Sequence, residues 1–542
     1  MPSARRPPAA ITADTHWWGA ALVVFGVALA VRIAYLLSIR DAYFFARLET
    51  EPLRYHQWAV LILAGRPPLP PFEQAPGYPY FVAAVYALFG RSPTAVAAVQ
   101  CLLDAGTCAL MARVATQWFG RRAGWLAGLM AAVYGPLVFF ASELVPATLF
   151  VFTCVAAVAA ASRPRSVPAL GAPGSAVRWT AAGALWAVGF LVRSEVLLGL
   201  PLVLIDAWRR GSGVAVRRVA WPPGLVVVLM LVVNALRTGT LVPLTTSGGV
   251  NLWLGNNPHA DGVNPFIGAN LQPVVAAVRQ QATNAVAADR LFHERARAFV
   301  HANPVPAARL LWKKFLWTWT DRELPNTCDI EWTTEHSWLV RRPWFPLSFG
   351  MVLPLAVAGA WLLGGGWRDR LLLLVPLAIA LGTSVLFFTN ARFRLPMVPT
   401  VVWLAAVAVD RVPMLRQRRC AAVGAVVGAA IGAVVAWGDF WRVRQYRIAQ
   451  LDVNTGVLAR EAGDLSTAVH FLRAGLAADP HDPIGWVHLA LALEEAGDPR
   501  AAAAAYRDAV GHVPGDASLR EMAGRFAARH PDLLRGPGRD FD

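Results

Sequence analysis

The sequence predicts an all-α protein: a polytopic bundle of about eleven transmembrane helices, followed by a domain of short helical repeats. Of the 542 residues, 56% are hydrophobic and only 15% are charged, whereas soluble domains contain about 25% charged residues. Apolar stretches of the length needed to cross a bilayer, about 20 residues, recur along the first 440 positions. Near the C-terminus, Glu-Ala-Gly-Asp occurs at 461–464 and again at 495–498.

The transmembrane domain is predicted to cover residues 17–438. Its candidate spans are 17–38, 94–115, 123–141, 144–162, 179–192, 195–208, 219–236, 346–364, 371–389, 394–411 and 420–438. The first span follows Arg5 and Arg6 but lacks a small-residue cleavage site, so we expect a retained helix. Because Arg193-Ser194-Glu195 interrupts the 179–208 region, that region forms either two spans, a re-entrant pair or one broken helix.

Basic residues predict the orientation of the bundle. Arginines fall in every second connection: at 121–122, 163–178, 209–218, 368–370 and 411–419. The positive-inside rule places these connections and the N-terminal tail, 1–16, in the cytoplasm. Loops 39–93 and 238–345, the turn at 390–394 and the C-terminal domain then lie on the outer face. The Arg, Ala and Gly bias is typical of a bacterial protein, which predicts the inner membrane.

Charge and cysteine content exclude other classes. The net charge of +16 is explained by the basic loops, so we expect no nucleic-acid partner. The five cysteines show no metal-binding spacing. A divalent metal is conceivable for a site rich in acids, but no coordinating pattern of acids indicates one, and no cofactor is expected.

The C-terminal residues 439–535 are predicted to form tetratricopeptide repeats, followed by a tail at 536–542. Pro480 and Pro514 keep the 34-residue spacing of the Glu-Ala-Gly-Asp motif. Trp486 and Tyr506 fit the large-residue positions of that repeat. Such repeats offer a surface for a partner protein, but their role here is open.

The first outer loop contains the residues that point to chemistry. Glu51, Tyr55, His56 and Trp58 form the pattern acid-x-x-x-Tyr-His-x-Trp-Ala, and Ala-Pro-Gly-Tyr-Pro-Tyr-Phe follows at 75–81. Carboxylates beside a bilayer are costly unless they are solvated, paired or used. A plain connector between two spans needs none of these groups, so we expect one wall of an active site here. The apolar stretch 77–90 would lie along the interface.

Further fragments follow in a fixed order. They are Gly-Asn-Asn-Pro-x-x-Asp-Gly at 255–262, Lys-Phe at 314–315, Glu-Leu-Pro-Asn at 323–326 and Arg-Phe-Arg-Leu-Pro at 392–396. Together with the first loop, they make residues 17–410 resemble the GT-C glycosyltransferases. The similarity is greatest to bacterial members of the family that holds protein O-mannosyltransferases and lipid A aminoarabinose transferases. Where that family usually has Asp, this chain has Glu51.

The resemblance implies an enzyme that moves a sugar from a polyprenyl-phosphate donor to an unknown acceptor (protein, lipid or glycan) at the outer bilayer surface. Glu51 would be the base that deprotonates the acceptor hydroxyl. Glu49 and Asp41 are rival bases. His56 would orient a carboxylate or substrate, unless it is a satisfied interfacial histidine.

Arg392 and Arg394 are predicted to hold the donor phosphate, with snorkelling to the interface as the alternative. Lys314 would bind phosphate or, with Lys313, anchor the chain at the interface. Glu143 would contact the acceptor, pair with an arginine or cap a helix. The remaining substrate-binding candidates implied by the motifs are Tyr55, Tyr78, Asn256, Asn257, Glu323 and Asn326, of which the two asparagines at 256–257 are equally explained by a turn.

Other functions compete with a glycosyltransferase. An oligosaccharide ligase or polymerase uses the same lipid carriers. A transporter would be expected to show repeated topology between its halves, which the sequence does not show. A membrane scaffold acting through the repeats would not need an acidic, aromatic outer loop.

Overall fold

The structure, a computed structural model, describes residues 16–534 with internal gaps. The gaps are residues 43, 44, 46, 47, 49, 69–71, 163–174, 264–270, 327–329, 331, 332, 334–336, 341–345 and 364–369. The rival base Glu49, residues 1–15 of the predicted N-terminal tail and the whole tail 536–542 lie outside the described residues.

The regular structure of the described residues is helical, which confirms the predicted all-α class. In order, its first helices are α1 (His16–Ile39), α2 (Thr50–Leu63), α3 (Gly77–Phe89), α4 (Pro93–Phe119), α5 (Arg121–Ala132), α6 (Gly135–Ser142), α7 (Ala147–Ala161), α8 (Ser175–Val192) and, after a 3₁₀ turn at Ser194–Gly199, α9 (Leu200–Thr238). Next come α10 (Gly248–Gly255), α11 (Gln272–Gln281), α12 (Ala285–Ala302), α13 (Pro304–Thr318), α14 (Phe349–Leu363), α15 (Val375–Leu386), α16 (Ala391–Arg394), α17 (Val398–Leu415) and α18 (Arg419–Trp437). The C-terminal helices are α19 (Ala449–Glu461), α20 (Leu465–Ala478), α21 (Pro483–Glu495), α22 (Pro499–His512), α23 (Ala517–Arg529) and α24 (Pro531–Leu534).

Several of these helices suit a bilayer. By length and composition, five described helices can span one: Gly19–Ile39, Pro93–Phe119, Gly213–Thr238, Ala391–Leu415 and Arg419–Gln445. Shorter apolar helices lie at Gly77–Phe89, Ala147–Ala161, Ala176–Val192, Phe349–Leu363 and Arg370–Leu386. The chain is therefore a multi-pass membrane protein, while the count of eleven spans stays a prediction.

One predicted span and one predicted loop differ from the structure. The stretch 123–141 is divided into α5 and α6, because Leu347 forms backbone hydrogen bonds with Val133 (2.9 Å) and Gly135 (3.0 Å) at the break. The expected loop at 209–218 is helical and lies within α9. The segment contains no proline to break the helix, although Gly211 and Gly213 lower its helix propensity.

Small residues and buried polar groups join the helices of the bundle. Gly359 of α14 lies against the Leu404 carbonyl of α17 so closely that an added Cβ would come within 1.9 Å of its oxygen. Arg32 of α1 donates to Asp104 of α4 at 2.6 Å, with both side chains fully buried. Breaking such a buried pair on one side typically costs about 3–5 kcal/mol, so this pair holds α1 against α4.

The C-terminal helices repeat with the spacing seen in the sequence. Gly463 (φ +85°) and Gly497 (φ +76°) follow α19 and α21 in the left-handed conformation that glycine tolerates. Asp464 and Asp498 then cap α20 and α22 by accepting from the backbone N–H groups of Thr467 and Ala501. The Glu-Ala-Gly-Asp motif is therefore a helix end followed by a helix start. Identity as tetratricopeptide repeats stays a prediction.

The C-terminal helices begin beside the loop that was predicted to be external. Asp321 N donates to the Ala436 carbonyl at the end of α18 (2.8 Å). Trp317 Nε1 donates to the carbonyl of Phe440 (2.9 Å), and the Tyr446 hydroxyl to Asp261 Oδ2 (2.5 Å). These contacts place the start of α19 at the same end of the bundle as loop 238–345.

Candidate active site

Helix α2 presents two of the predicted residues on one face. Glu51 and Tyr55 are four positions apart, so both project from the same side of the helix, and both are buried. The Tyr55 hydroxyl lies 2.8 Å from Glu51 Oε1 and 2.5 Å from Gln74 Oε1. Thr50, just before Glu51, has a left-handed φ of +47°, a strained conformation for a β-branched residue. The start of α2 is thus fixed around Glu51.

Glu51 forms an ion pair with Arg392, which is far from it in the sequence. Arg392 Nη1 donates to Glu51 Oε2, and the two side chains are only 10% and 11% exposed. With the Asn326 amide turned so that its oxygen faces Arg392, that oxygen accepts from Nε (3.3 Å) and Nη2 (3.1 Å). Each nitrogen of Arg392 therefore has a partner.

A second ion pair lies close to the first. Arg193, between α8 and the 3₁₀ turn, donates from Nη2 to Glu195 Oε1 at 2.7 Å. Its Cζ lies 4.6 Å from the centre of the Phe393 ring and 5.7 Å from that of Phe150. The predicted break in the 179–208 region thus forms part of this site.

Both ion pairs face one cavity of about 580 Å³. It is lined by Thr50, Glu51, Arg54, Tyr55, Gln74, Ala75, Pro146, Val192, Arg193, Ser194, Glu195, Thr245, Ser247, Gly248, Asn251, Asn326, Phe387, Phe388, Arg392 and Phe393. All of these residues fall in or beside connections that the arginine pattern places on one face of the membrane. The cavity therefore lies at one end of the helix bundle.

The charges in the cavity control the ionisation of Glu51. Burial alone would raise its pKa, but Arg392, the hydrogen bond from Tyr55 and Arg193 together hold the pKa of Glu51 below its ordinary value. The pKa of Glu195 is also lowered, because the charge and hydrogen bond of Arg193 outweigh the effect of burial. Burial and the nearby Glu51 carboxylate raise the pKa of Tyr55, so Tyr55 remains a hydrogen-bond donor.

Three further candidates lie behind the cavity wall. Tyr78 packs edge-on against Tyr55, with ring centres 4.9 Å apart, and donates to Gln100 Oε1 at 2.8 Å. Gln100 in turn donates to the backbone carbonyl of Glu143 (2.7 Å). His56 Nδ1 lies 2.8 Å from the Tyr86 hydroxyl. None of these three candidates is among the described residues that line the cavity, so they support α2 and α3 from behind.

Arg392 and Arg394, both predicted to hold the donor phosphate, have different partners in the structure. Arg394 forms an ion pair with Glu323 (2.5 Å) and donates to the carbonyl of Thr320, and its side chain is 4% exposed. The sequence spacing suggested that Arg392 and Arg394 would share a phosphate. In the short helix α16, however, residues two apart point in nearly opposite directions, about 160° from each other. Only Arg392 lines the cavity among the described residues.

Lys314 and the two asparagines form a buried polar cluster below the cavity. Lys314 Nζ donates to Asn256 Oδ1 (3.0 Å) and to the Val385 carbonyl (3.4 Å). Asn256 Nδ2 donates to the carbonyl of Leu386 (2.8 Å), and Asn257 Nδ2 to that of Trp253 (2.9 Å). Burial lowers the pKa of Lys314 to about 7. The cluster fixes the segment that leads to Phe387 and Phe388.

The rival base Asp41 lies at the surface. It pairs with Arg40 at 3.2 Å, and its side chain is 87% exposed. No group of three or more His, Cys, Asp or Glu side chains with metal-binding geometry occurs in the described part of the chain.

Sequence reasoning missed Arg193, Glu195 and Gln74 as site residues. The only signal for the first two was that two charges interrupt an apolar stretch on the predicted outer face, which also fits a simple ion pair. Gln74 precedes the Ala-Pro-Gly-Tyr motif and nothing in its own position marked it.

Comparisons with known proteins agree with the predicted resemblance. Residues 73–236 match the model of a family described as dolichyl-phosphate-mannose-protein mannosyltransferase. This segment includes Tyr78, Glu143, Arg193 and Glu195, and over that part of the chain it confirms the resemblance to the protein mannosyltransferase family. No curated protein matches the sequence.

Two solved structures are similar at low identity. One is the archaeal oligosaccharyltransferase AglB from Archaeoglobus fulgidus, in complex with an inhibitory peptide and a dolichol-phosphate: 12% identity, TM-score 0.39, covering 83% of this chain and 58% of that one. The other is ArnT from Cupriavidus metallidurans bound to undecaprenyl phosphate: 16% identity, TM-score 0.37, covering 92% and 80%. The present chain thus spans little more than half the length of the archaeal protein.

Proposed function

We propose that this protein is an integral-membrane glycosyltransferase that moves a sugar from a polyprenyl-phosphate donor to an acceptor on the outer face of a bacterial inner membrane. One observation carries the proposal: a buried carboxylate, Glu51, shares a polar cavity at the end of the bundle with Arg392 and Arg193. That arrangement supplies a base and a cationic site for an anionic leaving group.

In the proposed reaction, the acceptor hydroxyl attacks the anomeric carbon of the donor while its proton passes to Glu51. The new bond from carbon to acceptor oxygen forms as the bond from carbon to phosphate oxygen breaks, so the anomeric configuration inverts. The polyprenyl phosphate leaves with the bonding electron pair. Guanidinium groups stabilise the charge that develops on it.

The charge balance of the cavity favours a monophosphate donor. Arg54, Arg193 and Arg392 stand against Glu51 and Glu195 among the described lining residues. Arg54 also pairs at 3.2 Å with the more exposed Glu73, so the cavity offers a ligand at most one net positive charge. A sugar linked to a polyprenyl phosphate is a phosphodiester with one negative charge. A diphosphate-linked glycan, the donor of an oligosaccharide ligase, carries two negative charges and would be matched less well.

The experiment is a donor panel. Purified full-length protein in detergent is incubated with polyprenyl-phosphate and polyprenyl-diphosphate sugars and a mixture of membrane acceptors, and the released lipid is analysed by mass spectrometry. We expect polyprenyl monophosphate, with far less released by Glu51→Gln. Release of polyprenyl diphosphate would favour the ligase, and no release from any donor would reject the proposal.

A further inference from the structure

We infer that Arg193 is the principal phosphate-binding residue of the cavity and that Glu195 is its positioning residue. The inference rests on the proposed function and adds a residue that neither the motifs nor the resemblance identified. Of the other two arginines that line the cavity, Arg392 is assigned to Glu51, and Arg54 pairs with Glu73 at 3.2 Å.

The first step compares the N–H groups of Arg392 and Arg193 that are not already used in hydrogen bonds. Arg392 uses Nη1 for Glu51 and directs Nε and Nη2 towards Asn326. Arg193 uses only Nη2, for Glu195. Among the described residues, neither Nε nor Nη1 of Arg193 has a hydrogen-bond acceptor, and neither is a buried unsatisfied atom. Arg193 therefore has free N–H groups available to an anion in the cavity.

The second step is rigidity. The Arg193 guanidinium lies over Phe393 (4.6 Å) and near Phe150 (5.7 Å), and Glu195 holds one of its nitrogens. Cation–π contacts on this scale and an ion pair of 2.7 Å fix the plane of the group before any ligand arrives. Nη2 keeps a second N–H beyond the one given to Glu195, and this N–H together with that of Nε or Nη1 can offer two parallel donors to phosphate oxygens, which a lysine ammonium cannot.

The third step concerns Arg392. If a phosphate took the hydrogen bonds of Arg392, Glu51 would lose its charge partner inside a mostly buried site, and the loss of a buried partner is costly. Binding at Arg193 leaves the Glu51–Arg392 pair intact. The Phe393 ring centre lies 4.6 Å from the guanidinium of Arg193 and 5.6 Å from that of Arg392, and the charge of Arg193 acts on Glu51. A phosphate at Arg193 is thus near Glu51 without displacing Arg392.

The test measures binding rather than turnover. Undecaprenyl phosphate, without a sugar, is the probe, and its Kd for the full-length protein in detergent is measured at low salt by native mass spectrometry. Arg193→Ala should weaken binding by about 10- to 100-fold, the range for loss of charge-assisted hydrogen bonds. Arg193→Lys should recover only part of the affinity. Arg40→Ala is the control, because it removes an exposed cation that does not line the cavity.

Glu195→Gln separates phosphate binding from a merely structural ion pair. The amide keeps an oxygen for Arg193 and removes a negative charge from the cavity, so undecaprenyl phosphate should bind more tightly than it does to the wild type. A structural pair predicts a lower melting temperature for Arg193→Ala and Glu195→Gln with Kd unchanged.

The outcomes are distinct. Wild-type Kd in a folded Arg193→Ala protein would overturn this inference alone. So would weak binding by Glu195→Gln at a wild-type melting temperature. A wild-type protein that does not bind undecaprenyl phosphate at all would overturn both this inference and the proposed function.

Discussion

Two features of the site have opposite effects on the pKa of Glu51. It is mostly buried, which favours the neutral acid, yet its pKa is held low by Arg392, Tyr55 and Arg193. Glu51 is therefore ionised at neutral pH and ready to accept a proton, although it is a weak base. Such a base suits a reaction in which the bond to the leaving group is largely broken before the acceptor proton moves.

The first prediction is that Glu51→Gln folds normally and loses turnover by about 10²- to 10⁴-fold, the usual contribution of general-base catalysis. Donor turnover at saturating substrate is the measurement. Asp41→Asn is the control, since Asp41 is exposed and paired with Arg40. Near-wild-type turnover in Glu51→Gln together with a loss in Glu49→Gln or Asp41→Asn would transfer the role of base to that residue.

The second prediction uses the pH dependence of the same residue. A carboxylate with a lowered pKa remains charged as pH falls through the ordinary Glu range and is protonated only below it. Activity that depends on ionised Glu51 should therefore persist at pH 5 and fall only under more acid conditions. If kcat/KM instead titrates near neutral pH in the wild type, a group other than ion-paired Glu51 limits the reaction.

The third prediction concerns Glu143, whose partly buried carboxylate has no side-chain partner among the described residues. Burial raises its pKa to about 7. Between its unfolded pKa, about 4.5, and pH 7, the native state binds more protons than the unfolded state, so stability falls as pH rises through this window. Glu143→Gln removes that loss. At pH 8 the variant should be more stable by on the order of 2 kcal/mol, and at pH 4.5 the two should unfold alike.

At the scale of the element, helix α13 has two faces with different roles. One face is buried and includes Lys314 and Trp317. The other exposes Val305 (71%) and Trp312 (55%), and the Trp312 ring stacks on Phe315 at 5.3 Å. Lys313, not Lys314, is the lysine placed to act at a lipid boundary, with its Nζ 4.2 Å from the centre of the Trp317 ring.

The fourth prediction is that this exposed face of α13 lies in the bilayer interface, because Trp and Lys favour that region. A spin label at Trp312→Cys, in a Cys328→Ser/Cys420→Ser background in nanodiscs, should be more accessible to oxygen than to a nickel chelate. A label at the exposed Ala298→Cys in α12 should show the reverse. Equal nickel access at both positions would show that α13 lies in water.

The elements were predictable where local chemistry determines them. Gly463 and Asp464 end one helix and begin the next through their own backbone and side chain, so the sequence repeat translates directly into helix boundaries. Arg392 and Arg394 show the opposite case. Their equal spacing from Phe393 said nothing about direction, because the sequence does not reveal whether the turn at 391–394 is extended or helical.

At the scale of the whole molecule, the cavity depends on contacts that no local pattern contains. Glu51 and Arg392 are 341 positions apart, and Arg193 belongs to neither of the two motifs that meet there. Each ion pair forms only because separate connections converge at one end of the bundle. Sequence periodicity could therefore predict the spans and one face of the site, whereas the pairing of charges had to come from the packing of the helices.

The last prediction tests on which side of the membrane these converging segments lie. The contacts of Trp317 with Phe440 and of Asp261 with Tyr446 place the C-terminal helices at the cavity end of the bundle, and the arginine pattern predicts that this end faces outward. In a Cys328→Ser/Cys420→Ser background, cysteines introduced one at a time at the exposed positions Ala298 and Ile484 should both react with an impermeant maleimide added to intact cells. A cysteine at Met414, in the arginine-rich connection before α18, should react only after permeabilisation. Labelling of 298 but not 484 would contradict the structure, whereas protection of both with labelling of 414 would keep the fold and reverse the predicted orientation.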